Sequence, residues 1–134
     1  MVIDTSALLA IVLGEDDSAE FVDAIARREE ERSSVYIPAS VIVAAGIVAE
    51  RHKSVERLDG LLEQISAEVV PLDRTIAELA RTAYRVFGRG FHKAALNFGD
   101  CMSYATALYL REPLLYKGGD FRKTDIPSAL AMPN

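Results

Sequence analysis

With 134 residues, half of them hydrophobic and 26% charged, the chain is sized for one globular domain with a sizeable core and is too short for two. Its net charge of −5 excludes the global basic balance of a general nucleic-acid binder, so any nucleic-acid contact has to be local. The single cysteine, Cys101, excludes an internal disulfide, and no apolar run nears the roughly 20 residues of a membrane span; without a signal-peptide pattern at the start, the expectation is a cytoplasmic protein with no membrane contact.

The opening MVIDTSALLAIVL reads as a buried strand, Val2 and Ile3, that delivers Asp4 to a sheet edge and passes at once into a helix. Thr5 and Ser6 are good N-cap types, and Gly14 ends the helix. Asp4 is either a helix cap or a chemical group. A second helix is expected over residues 18–32, with Phe21, Val22, Ile25 and Ala26 on its apolar face and a solvated charged end. Val35 to Ile37 form a short strand stopped by Pro38, and ASVIVAAGIVAER, long and rich in alanine, reads as a helix. Ser54 caps a further helix over residues 55–66, and Val69 and Val70 form the third strand.

From Asp73, Ile76, Leu79, Ala80, Ala83 and Tyr84 give an amphipathic helix that runs into GRGFHKAALNFG, a basic, glycine-bearing stretch expected to be a functional or mobile loop. Asp100 then opens the helix CMSYATALYLRE, Leu114 to Tyr116 form the last strand, and SALAMPN reads as a fraying tail. The pattern is β-α-α repeated three times and closed by a strand. That is an α/β fold with a mainly parallel sheet of four to five strands, covered by helices on both faces, in a single domain over residues 1–134.

Three acids share one kind of position. Asp4 ends the first strand, Asp100 follows a glycine-bearing loop, and Asp120 follows the last strand through Gly118 and Gly119. Ligands of open α/β sheets collect outside the carboxyl ends of strands. Carboxylates gathered there raise one another's pKa unless a cation neutralises them, so a bound hard cation, Mg2+ or Mn2+, is the natural expectation. Three unrelated helix caps are the structural alternative. Arg89 and Lys93 in the loop and Lys117 after the last strand are candidate phosphate contacts for RNA. Phe91 and Phe98 could stack on unpaired bases or anchor the loop in the core.

DTSAL, LNFGDCMSYA and LLYKGGDFRKTDI, in this order, make the chain resemble the PIN-domain ribonucleases, in particular the VapC toxins of bacterial toxin-antitoxin pairs. The resemblance spans nearly the whole sequence. It implies an α/β/α sandwich and a magnesium-dependent endoribonuclease whose metal site includes Asp4, Asp100 and Asp120, with Thr5 or Ser6 beside the metal or its water. It also implies a homodimer, higher toxin-antitoxin assembly, and inhibition by a small VapB-like antitoxin through which alone the toxin reaches DNA. The family's fourth acid, a glutamate, aligns with Ala44. Glu50 is no substitute, because six residues on it lies about 9 Å along the helix axis and roughly 240° round. The expected activity is therefore weak or absent, and the alternative is a catalytically silent protein that binds antitoxin or RNA. A phospho-acceptor domain with Lys117 after its last strand is a more distant alternative, since paired acids after the first strand are missing.

Overall fold

The computed structural model describes residues 1–130. In chain order it contains β1 (Val2–Ile3), α1 (Thr5–Val12), α2 (Ser18–Glu30), β2 (Val35–Pro38), α3 (Ala39–Arg51), α4 (Val55–Gln64), β3 (Ala67–Val70), α5 (Arg74–Phe87), α6 (Phe98–Leu110) and β4 (Leu114–Leu115), followed by a 3-10 turn at Phe121–Lys123. The strands form one parallel sheet in the order β3-β2-β1-β4. The chain thus winds outward from β1 to β3, then crosses back to place β4 on the other side of β1. That reversal makes the carboxyl ends of β1 and β4 the switch point, where the crossovers leave in opposite directions and a crevice opens.

Alternation along the short strands sorts the core into two layers. Ile3 and Leu115 join Leu8, Phe21, Ile25, Ile37, Val41 and Leu58 on the α1–α4 side. Val2 and Leu114 join Ile76, Ala80, Leu96, Ala105 and Phe121 on the α5–α6 side. The expected α/β/α arrangement with four parallel strands is therefore present, with the expected helix pair between each pair of successive strands.

Several local expectations change. The cap of α1 is Asp4 itself, whose carboxylate accepts from the Ser6 backbone, so Thr5 and Ser6 lie inside the helix. On α2 the buried residues are Phe21, Ala24 and Ile25, whereas Val22 is exposed, because the i, i+3, i+4 stripe runs through Ala24 and leaves Ala26 in solvent. Helix α6 starts two residues before Asp100, at Phe98, because Asn97 supplies the cap. The stretch after α5 is a closed loop and not a loose one: the Arg89 N–H donates to the Leu96 carbonyl at 3.0 Å, the Leu96 N–H donates to Phe87 at 3.0 Å, and Ala94 and Leu96 are buried. Gly88 starts this loop because an added Cβ would lie 2.2 Å from the Tyr84 carbonyl oxygen. The beginning of the supposed tail is docked as well, since Ala129 donates to the Leu114 carbonyl at 2.9 Å and packs with Leu130 on the core. The rest of it, residues 131–134, lies outside the described residues.

Candidate active site

Asp4 leaves the end of β1 with an extended backbone, and its own N–H donates to the Leu115 carbonyl of β4 at 2.9 Å. The carboxylate is 3% exposed and accepts from the Ser6 backbone at 3.0 Å and from the Ser6 hydroxyl at 2.5 Å. The same Ser6 Oγ accepts from the Lys117 N–H at 3.0 Å. One serine therefore orients Asp4 and ties the exit of β1 to the exit of β4. Asp4 caps α1 and also lines a cavity.

Asp100 is the third residue of α6. Its carboxylate accepts from the Asn97 N–H at 3.0 Å, while the Asn97 side chain accepts from the Asp100 N–H at 2.8 Å, a reciprocal capping box. Burial pushes the Asp100 carboxyl up to about 6; the Asn97 hydrogen bond opposes this, and the negative charges of Asp4 and Asp120 add to it. Asp4 and Asp100 share a cavity of about 790 Å³, which Ser40, Val43, Ala44, Ile47 and Phe98 also line. Position 44, to which the family resemblance assigns the missing glutamate, thus faces the same space as both carboxylates and puts a methyl group there. Glu50 is exposed and does not line the cavity.

The third acid is placed differently from expectation. Asp120 stands exposed after a turn in which Gly118 adopts φ +97°, and it does not line the cavity, although its charge reaches Asp100. Among the described residues no three His, Cys, Asp or Glu side chains lie close enough together to hold an ion. The donor set fits a hydrated hard cation bound through one or two carboxylates and water, which is the usual habit of magnesium, and not an all-protein cage.

Of the expected RNA contacts, Arg89 and Lys93 are exposed and form no ion pair among the described residues. Lys117 has another use. Its ammonium is held by Glu15 and, at 3.1 Å, by Asp17 on the turn between α1 and α2, and these hydrogen bonds raise its pKa. What Lys117 brings to the site is its backbone N–H. Sequence reasoning also missed Ser40 and Asn97 in the cavity wall, and Asp125, which accepts from the Tyr104 hydroxyl at 2.6 Å and fastens α6 to the C-terminal segment. The cap spacing from Asn97 to Asp100 was the available signal for Asn97; Ser40 and Asp125 carry none.

Fold and site together define an α/β/α protein with carboxylates gathered at the switch point of a parallel sheet. A family model described as PIN domain matches residues 1–127. Ribonuclease VapC28 of Mycobacterium tuberculosis is 46% identical over 134 residues, covering 97% of this chain and 98% of its own. Ribonuclease VapC of Mycolicibacterium smegmatis is 41% identical over 128 residues, covering 94% and 97%. A solved structure titled as a toxin-antitoxin complex from Klebsiella pneumoniae superimposes with a TM-score of 0.69 at 18% identity, over 99% of this chain and 97% of that one, a likeness of fold. The chain belongs to the VapC ribonucleases of the PIN-domain family.

Proposed function

We propose that this protein is the toxin of a type II toxin-antitoxin pair, an endoribonuclease that hydrolyses RNA phosphodiester bonds with Mg2+ or Mn2+, and that Ala44 leaves it weak or silent. The observation that carries the reading is one cavity, at the switch point of the sheet, that receives Asp4, Asp100 and the side chain of residue 44 together. Asp4 and Asp100 hold the cation, with Asp120 adding negative charge nearby. Ser6 fixes the Asp4 carboxylate and Asn97 fixes that of Asp100, so neither acid has to reorganise. A cation bound there would supply Lewis acidity to a water and to the phosphate oxygens. Thr5 lies beside Asp4 in the wall, and Arg89 and Lys93 position the RNA backbone. The partners that follow are a VapB-like antitoxin, which alone brings the complex to DNA, and a second toxin copy in a homodimer within a larger assembly. The setting is the cytoplasm; no helix among the described residues is long and apolar enough to cross a membrane.

Losing a metal-site partner typically costs about 10- to 100-fold in affinity or activity. The test is RNA cleavage by this chain and by its Ala44→Glu variant, each with and without magnesium or manganese. Cleavage that requires the ion and rises at least about tenfold in the variant supports the reading. A second reading, a silent binder of antitoxin, is favoured by the methyl group at position 44; it prevails if both folded proteins leave a broad RNA pool intact and still bind the antitoxin.

A further inference from the structure

We infer that Phe98 is the base-stacking residue of this site, holding an unpaired nucleobase of single-stranded RNA next to the carboxylates; this rests on the ribonuclease reading above. The ring is 81% exposed, more than any other large hydrophobic side chain among the described residues. Single exposed apolar residues are ordinary on a protein surface, but this one stands on a ridge between two hollows. One is the cavity of Asp4 and Asp100. The other, about 750 Å³, is lined by Ala77, Ala80, Arg81, Tyr84, Arg89 and Cys101. Leu72, Asn97, Phe98 and Met102 belong to both walls.

The ridge is rigid. The Asn97–Asp100 capping box brackets Phe98 on either side, so the ring projects from a backbone fixed by two reciprocal hydrogen bonds. Phe98 and Asp100 line the same cavity, so a base seated on the ring keeps its phosphate in the space the acid faces. The floor of the second hollow is apolar, yet its rim carries two guanidinium groups in a chain whose net charge is −5. Arg81 is partly neutralised by Glu78 at 3.1 Å, whereas Arg89 has no ion pair among the described residues. An aromatic platform flanked by cations and continuous with a carboxylate cavity matches the needs of a single strand: a face for the base and positive charge for the phosphate that follows. A purely apolar protein partner has no use for the arginines.

The chain contains no tryptophan, so Phe98→Trp introduces a single indole at the proposed contact. The probe is a short mixed-sequence single-stranded oligoribonucleotide, labelled for anisotropy and titrated in the presence of a chelator so that it is not cut. Expected results are quenching of the indole emission over the RNA concentrations that raise the anisotropy, binding about 5- to 100-fold weaker in Phe98→Ala with the salt slope unchanged, and retained binding in Phe98→Tyr. RNA binding that is equal in the parent and Phe98→Ala, with no quenching, overturns the inference and leaves the ribonuclease reading standing. A change in oligomeric state in Phe98→Ala, with RNA affinity intact, also overturns it and assigns the ring to a second copy of the chain. If none of the folded variants binds RNA, the inference is overturned, and the ribonuclease reading is decided separately by the cleavage assay with the Ala44→Glu variant.

Discussion

The two lips of the cavity each present a carboxylate from the start of a helix, but they hold it in different ways. Asp4 comes straight off the sheet. Its strand is pinned on the β4 side by bonds from Val2 to Pro113 and from Asp4 to Leu115, both 2.9 Å, and its carboxylate is buried under two donations from Ser6. Asp100 comes from the third position of a helix that follows the closed loop. It receives one backbone donation, and burial makes its charged form costly enough to lift the carboxyl to about 6. Asp4 is part of what keeps the fold together, whereas the charged form of Asp100 is one that burial disfavours. The difference predicts that substitutions on the two lips shift stability in opposite directions.

The largest effect is expected at Ser6. In Ser6→Ala, Asp4 loses its shortest donor and the Lys117 N–H loses its acceptor, a combined cost of about 2–3 kcal/mol since one bond involves a charged group. Urea unfolding measures it, and a loss under about 0.5 kcal/mol would show that water replaces both bonds at no cost. Asp100→Asn should do the reverse. The folded state of the parent binds the Asp100 proton more tightly than the unfolded state, so stability falls as pH rises from about 4 to about 6 and stays lower above that range. The asparagine variant lacks this fall. Without metal at pH 7 it should be more stable by about 1–2 kcal/mol, below the full value of the shift because the carboxyl is partly exposed and solvent screens its charge, and near pH 3.5 the two proteins should coincide. Magnesium should raise the melting temperature of the parent more than that of Asp100→Asn. Equal shifts would place the ion's main ligand elsewhere.

How far the sequence discloses this arrangement depends on the range of the forces involved. The helix pairs between strands are legible because short β-branched runs and i, i+3, i+4 stripes are local patterns, whereas residue 44, which lines the cavity, is singled out only by the family resemblance. The loop after α5 is not legible, since its closure depends on Leu96 bonding back to Phe87 and on Gly88 approaching Tyr84, neither of which has a compositional mark. The ion pairs of Lys117 are hidden for a similar reason. Its partners Glu15 and Asp17 are about a hundred residues away in sequence and meet it only because β4 returns beside β1. Asp120 has the right flanking glycines, but the turn they make carries it out of the cavity wall.

Helix ends give the finest version of the same contrast between what residue type reveals and what it hides. α1 closes with Gly14 at φ +64°, where the Glu15 N–H donates to the Ala10 carbonyl at 2.9 Å, a closure the glycine announces. α6 closes in the same way through Arg111 at φ +55°, with the Glu112 N–H donating to Ala107 at 3.0 Å, and nothing in the sequence marks it. A Cβ at Gly14 would meet only the far end of the Arg57 side chain, at 3.8 Å, so Gly14→Ala isolates the backbone term and should destabilise by about 1 kcal/mol. Arg111→Gly relieves the same left-handed strain but gives the unfolded chain more freedom, so the net gain should be smaller, about 0.5 kcal/mol. Thermal unfolding resolves the pair as melting-temperature shifts of opposite sign, each of a few degrees or less. If Arg111→Gly lowers the melting temperature, the arginine side chain contributes more to the end of α6 than its backbone conformation costs.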